Sequence, residues 1–239
     1  MALNLGGGSL TSSYSSLYLG NAQSMLSQSL LRLSSGQRIN KPSDDPGGLA
    51  VSMKLKNAIT VTEATKRNVD NALSYTDTQD SALESVADIL DRMSTLKTSY
   101  GSGTATTSDK SSYASEFKEL QKQLDVFKSE TFNSMSLFSS SAVSKQVMIS
   151  SRGESGPTIS ISSLNISGAL SVSSGVNLAN ATGSVTISGI SIGNLTTAIT
   201  QVASLRATSG ATSSRLQFSS DFLDTSKTNL EAANSRIMD

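Results

Sequence analysis

Cysteine and histidine are both missing from the 239 residues, tryptophan is absent, and proline occurs three times. Without cysteine there are no disulfides, thiol nucleophiles or thiolate metal ligands. Without histidine there is no Ser-His-Asp triad, and the commonest general base and zinc ligand are gone. Aromatic residues make up only 5% of the chain, while about a fifth of it is serine. Such a chain buries many small side chains and few large ones, so a single compact core would be thin. Nineteen basic and nineteen acidic residues cancel to a formal charge of zero. Neither nucleic acid nor an anionic membrane surface is an expected partner, and copies of the chain do not repel one another. No stretch of about 18 apolar residues is present to span a bilayer. The opening "MALNLGGGSLTSSYSS" lacks the basic start and apolar block of a secretory signal peptide.

What is present is periodic. Leu19, Ala22, Leu26, Leu30 and Leu33 recur at three- and four-residue steps and predict an amphipathic helix from about Ser9 to Leu33, with Gly36 as its stop. The preceding Gly-Gly-Gly-Ser reads as flexible. Val69, Ala72, Thr76, Gln79, Leu83, Val86, Leu90 and Met93 form a longer heptad seam that is polar at Thr76 and Gln79. It belongs to a helix from Leu49 to Tyr100. At about 1.5 Å per residue that helix would extend roughly 78 Å, more than a small globule can cover, so partner helices are required. Tyr113, Phe117, Leu120, Leu124 and Phe127 supply a third helix, with Ser108 or Asp109 as its cap. Leu195, Ile199, Val202, Thr212, Leu216, Leu223, Ser226, Leu230, Ala233 and Ile237 carry the same rhythm to Asp239. Between Val143 and Gly193 the period changes to two: "QVMIS", "TISISSL", "ALSVS" and "SVTISGISI" alternate apolar residues with Ser or Thr, as strands do. "SSRGESGPT" joins the first two as a hairpin turn.

The resulting fold class is mainly α with a small β insert. N- and C-terminal segments form an elongated antiparallel helical bundle, and the middle is rich in β-hairpins. The boundaries are 1–34 for the N-terminal helix, 35–48 for a joint, 49–142 and 194–239 for the two parts of a helical core, and 143–193 for the insert.

The joint "RLSSGQRINKPSDDPGGLA" concentrates glycine, proline and charge between two helices. Asp44 and Asp45 could hold a metal or act as an acid/base pair, but neighbours on a helix start point about 100° apart, and no histidine accompanies them. Capping explains them better: Ser43 as the N-cap, Asp44 and Asp45 in the first turn, and Pro46 tolerated there. Gly47 and Gly48 lack the Lys-Ser/Thr of a phosphate loop. Arg32 and Arg38 flank Gly36 with no aromatic or basic company, which favours structural ion pairing over nucleic-acid contact. No catalytic, cofactor or metal site is expected. Asn165, Asn180 and Asn194 open N-glycosylation sequons that a Ser/Thr-rich chain produces by chance.

"RLSSGQRINKPSDDPGGLAVSMKLK" resembles the N-terminal signature of bacterial flagellin. "TFNSMSLF" is similar to that family's F-N-G-x-x-L stretch, with Ser134 in place of Gly. "SSRGESGPTISISSL" is similar to its β-hairpin, and "LTTAITQVASLRATSGATSSRL" with "NLEAANSRIMD" to its C-terminal helices. The resemblance implies a secreted, non-enzymatic subunit of the extracellular bacterial flagellum that polymerises helically with itself. It implies export as an unfolded chain by the flagellar type III apparatus, contact with hook-associated and cap proteins, and no cofactor. It also implies a host Toll-like receptor as a further partner, through Arg92, Leu96 and Glu116 at the matching positions. The stop at Asp239 suggests that the family's C-terminal helix is lacking, and hence weak polymerisation. A hook-filament junction protein shares both terminal regions and is the nearest alternative; a non-polymerising helical adhesin is a more distant one. Metal-dependent protease versions of the family need a histidine-rich motif that this sequence does not have.

Overall fold

The computed structural model describes residues 7–141, 143–152, 155–173, 176–179 and 185–239. Helices dominate: α1 (Gly7–Ser35), α2 (Pro46–Tyr100), α3 (Thr107–Phe127), the single turn α4 (Ile166–Ala169) and α5 (Ile192–Met238). Between α3 and α5 the described residues form three two-stranded antiparallel ribbons. These are β1 (Thr131–Phe132) with β2 (Met135–Ser136), β3 (Ser144–Met148) with β4 (Thr158–Ser162), and β5 (Ser171–Ser173) with β6 (Val176–Asn177). This is a helical bundle with a small β insert, as the periodicities predict. The chain forms two compact units, one of residues 1–61 and 226–239, the other of residues 62–225.

The larger unit holds the main core. All eight members of the α2 heptad seam from Val69 to Met93 are buried, the polar Thr76 and Gln79 included. Phe117 and Leu124 of α3 and Leu195, Val202, Leu216 and Leu223 of α5 join them in one apolar cluster. The antiparallel pairing of α2 with α5 is fixed by polar contacts along its length. Lys66 bonds Asp224 at 2.6 Å, Ser220 donates to Asp70 at 3.1 Å, and Arg206 grips Asp80 through two 3.0 Å bonds. Gln79 is satisfied by donating to the carbonyls of Leu137 (2.7 Å) and Ser162 (3.3 Å), which ties the ribbons to α2. A buried amide left without partners would cost about 1–3 kcal/mol. Ser52 donates to Asn234 at 2.7 Å in the smaller unit, again joining an α2 residue to one of α5.

Several element starts differ from the sequence-based expectations, each for a local reason. Gly7, Gly8 and Ser9 lie within α1 instead of a flexible leader, while Gly6 falls outside the described residues. The cap of α3 is Thr106, not Ser108 or Asp109. Its hydroxyl accepts from the Asp109 N–H, and Asp109 returns the bond to the Thr106 N–H, a reciprocal capping box. Within "SVTISGISI", Ile187–Gly189 forms a 3-10 turn, and no strand is present among its described residues. Ile187 and Ile190 are buried there, so the alternating pattern reflects inward anchors rather than a sheet. In "ALSVS" the strand is confined to Ser171–Ser173.

Candidate functional site

The joint belongs to the smaller unit, and its polar groups are largely committed to building a bend. Gly36 adopts φ +67° and its N–H closes on the Arg32 carbonyl at 2.9 Å, ending α1 as a left-handed glycine should. Ser35 Oγ accepts from the Gln37 N–H and the Asn40 side chain. One Asp44 carboxylate oxygen accepts from the backbone N–H groups of Asn40 (3.1 Å) and Lys41 (3.0 Å), and the other from Gln28 of α1 (2.9 Å). The backbone donors of Lys41 and then Asn40 hold this carboxyl below its ordinary range, with smaller help from Gln28 and the Arg32 charge.

The cap of α2 is Asp45, not Ser43. Asp45 Oδ1 accepts from the Gly48 N–H at 2.8 Å and the Asp45 carbonyl takes the first helical bond from Leu49. Pro46 is therefore the first helical residue, where its missing N–H costs nothing. Ser43 lies in the preceding turn. Gly48 is the one residue that fits its place, because a Cβ there would sit 2.5 Å from an Asp45 oxygen and 2.8 Å from Ile39. Ile39 is buried. Beside it, the Arg38 backbone N–H donates to the Met238 carbonyl at 2.6 Å and its guanidinium to Ile237 at 3.0 Å. The loop between α1 and α2 thus grips the last turn of α5. Arg32 lies on the rim of a shallow hollow with Gln28 and Asp44.

This arrangement positions chain segments. Both aspartates are used up as acceptors for backbone donors, and no cluster of three or more metal-ligating side chains occurs among the described residues. No helix of the described residues is long and apolar enough to cross a membrane.

Of the residues matched to receptor contact, Arg92 and Glu116 are exposed and meet as an ion pair at 2.6 Å between α2 and α3. Leu96 is only 2% exposed and packs in the core. Two of the sequon asparagines take part in helix capping. Asn165 Oδ1 accepts from the Gly168 N–H, and Asn194 exchanges bonds with Ser191 at the start of α5. Asn180 lies outside the described residues.

Sequence periodicity did not reveal the surface character of two elements. The α1 stripe is exposed along its length, Leu33 to 83%. On α5, Phe218 and Phe222 are 72% and 64% exposed. Their four-residue spacing was the available signal, and it is out of step with the buried Leu216 and Leu223.

Comparison with known proteins places this geometry. Residues 10–142 match the bacterial flagellin N-terminal helical region and residues 192–239 the C-terminal helical region. The second match, which is helix α5, corrects the expectation that the C-terminal helix of the family is lacking. Among curated relatives, the flagellar filament 30.7 kDa core protein of Treponema maltophilum is 27% identical over 96% of this chain and 84% of its own. The flagellin of Listeria monocytogenes is 32% identical over 63% of this chain and 54% of its own. The crystal structure of Bacillus cereus flagellin superposes with a TM-score of 0.54 at 27% identity, covering 70% of this chain and 94% of that one. A putative flagellar hook-associated protein from Vibrio parahaemolyticus shares the fold, with a TM-score of 0.67 at 14% identity over 82% of this chain and 100% of that one. With more than half of its length in the N-terminal match alone, and its last helix in the second, the chain belongs to the bacterial flagellin family.

Proposed function

We infer that the chain is a structural subunit that polymerises with its own copies into the bacterial flagellar filament. The observation that carries this reading, beyond family membership, is α1. Its leucines from Leu17 to Leu33 stand exposed on a 29-residue helix. An apolar face of that length is the kind of surface that other helices bury in an assembly. The joint supplies the complementary need, a fixed bend between α1 and α2. Arg32, Gly36, Arg38, Asp44 and Asp45 act there as structural residues, with no catalytic role. Flagellins are structural proteins rather than enzymes.

Around this role we place export through the flagellar type III apparatus, an extracellular location, and contact with hook-associated and cap proteins. Recognition by a host Toll-like receptor would use the exposed Arg92–Glu116 pair. Unchanged receptor activation by Arg92→Ala counts against that contact. The filament reading is tested by salting out the purified chain and following sedimentation and electron microscopy. Long helical filaments are expected. A chain that stays monomeric at every salt and protein concentration overturns the reading.

A further inference from the structure

We propose that a ridge on α5, formed by Phe218, Asp221 and Phe222, docks into a socket between α2 and the β-ribbons of a second copy, making a lateral contact of the polymer. This rests on the filament reading and names one of its interfaces.

The socket is a cavity of about 420 Å³. Phe132, Met135 and Ile161 give it an apolar floor, Asn68 and Asn71 of α2 a polar lip, and Lys145 of β3 a charged one. The ribbons hold it open. Tyr75 donates to the Ser136 carbonyl at 2.9 Å and its ring meets Phe132 edge-on at 6.1 Å, so the floor is braced rather than collapsed. Lys145 is exposed and has no ion-pair partner among the described residues.

The ridge is its chemical complement. Two phenylalanines one turn apart present apolar rings, and the exposed Asp221 flanks them on the same helix. Asp221 accepts from Gln217 and is paired with no cation among the described residues. An unpaired anion on an aromatic ridge and an unpaired cation on an apolar socket match in both charge and hydropathy.

Their placement forbids the two from meeting within one molecule. At about 100° per residue, Lys66, Asp70, Asp77 and Asp80 share the side of α2 that faces α5. Asn68, Asn71 and Tyr75 point roughly 180° from it. On α5, Arg206, Ser213 and Ser220 face α2, while Phe218 and Phe222 point roughly 180° away by the same count. The Asp70–Ser220 bond sets ridge and socket at one level along the paired helices. Complementary surfaces on opposite sides of a body, at one level, join copies side by side without closing on themselves in a pair. That is the heterologous contact a ring or helical polymer needs.

The test is charge reversal at exposed positions that leave the monomer fold intact, monitored by circular dichroism. Lys145→Glu and Asp221→Lys should each raise the critical concentration for polymerisation about tenfold, and the two together should restore it. Phe222→Ser should raise it similarly. If every single variant polymerises like the unmodified chain, the socket faces something other than a second copy and the contact is overturned, while the filament reading stands. If the double reversal fails to restore assembly, the pairing is overturned. If the unmodified chain forms no polymer at all, the filament reading falls and takes this contact with it.

Discussion

Asn133 and Ser134 turn the β1–β2 ribbon with φ of +47° and +63°. Two left-handed central residues are what a tight hairpin of this hand requires, and glycine is the usual second one. Ser134 holds that conformation against its own Cβ, at a cost of about 1 kcal/mol. Ser134→Gly should therefore stabilise the protein by about 0.5–1 kcal/mol, read as a raised urea midpoint at constant slope. Asp44 and Asp109 carry a second residue-scale prediction. Backbone and hydroxyl donors hold both carboxyls below their ordinary value of 3.8. A group depressed on folding lends stability in full above its unfolded pKa and loses it as pH falls through the lower folded value. Stability should thus hold above about pH 4 and decline below it as the two carboxylates protonate. Asp44→Asn with Asp109→Asn should flatten that decline in an acid titration followed by circular dichroism. The caps also show where local reading went astray. Ser43 looked like a cap because serine often is one. The deciding signal was Pro46, whose place as first helical residue makes its predecessor, Asp45, the cap.

At the scale of elements, the seam of α2 was fully legible. Hydrophobic spacing of 3 and 4 can be satisfied only by a stripe facing one way, and the structure buries each of its eight members. Gln79 was visible as a polar member, but its purpose was not. It donates to carbonyls 58 and 83 residues away in sequence, which no local pattern encodes. Gln79→Ala should cost about 2–4 kcal/mol, since it removes the bonds to the Leu137 and Ser162 carbonyls and opens a void. Denaturant unfolding measures this directly. Around Ile187 and Ile190 the alternation was real but misleading. A short irregular segment that drops two isoleucines into a core has the same spelling as a strand. The exposure of Phe218 and Phe222 was hidden for a related reason. Periodicity reports which residues share a face, and it is silent on whether anything covers that face.

At the scale of the whole molecule, the sequence foretold that distant ends of the chain would lie together, and α2 and α5 do so from Lys66–Asp224 to Asp80–Arg206. α1 contributes little to the core of the larger unit, whose buried cluster begins at Val69. Deleting residues 1–35 should leave the main thermal transition of the remaining chain within about 1 kcal/mol of its original stability, measured by calorimetry, while abolishing filament formation. A fall much beyond that would show α1 to be part of the folded core. Helices lined with serine, threonine and alanine slide past one another easily, because one small side chain replaces another with little change in packing. The ladder joining α2 to α5 removes that freedom. Slippage by a single turn would part Asp70 from Ser220, and Gln79 Oε1 from the buried Ser209 hydroxyl that donates to it, each at a penalty of about 1–3 kcal/mol. Hydrogen bonds here act as a vernier: they make one alignment of two otherwise interchangeable rods distinctly better than the next.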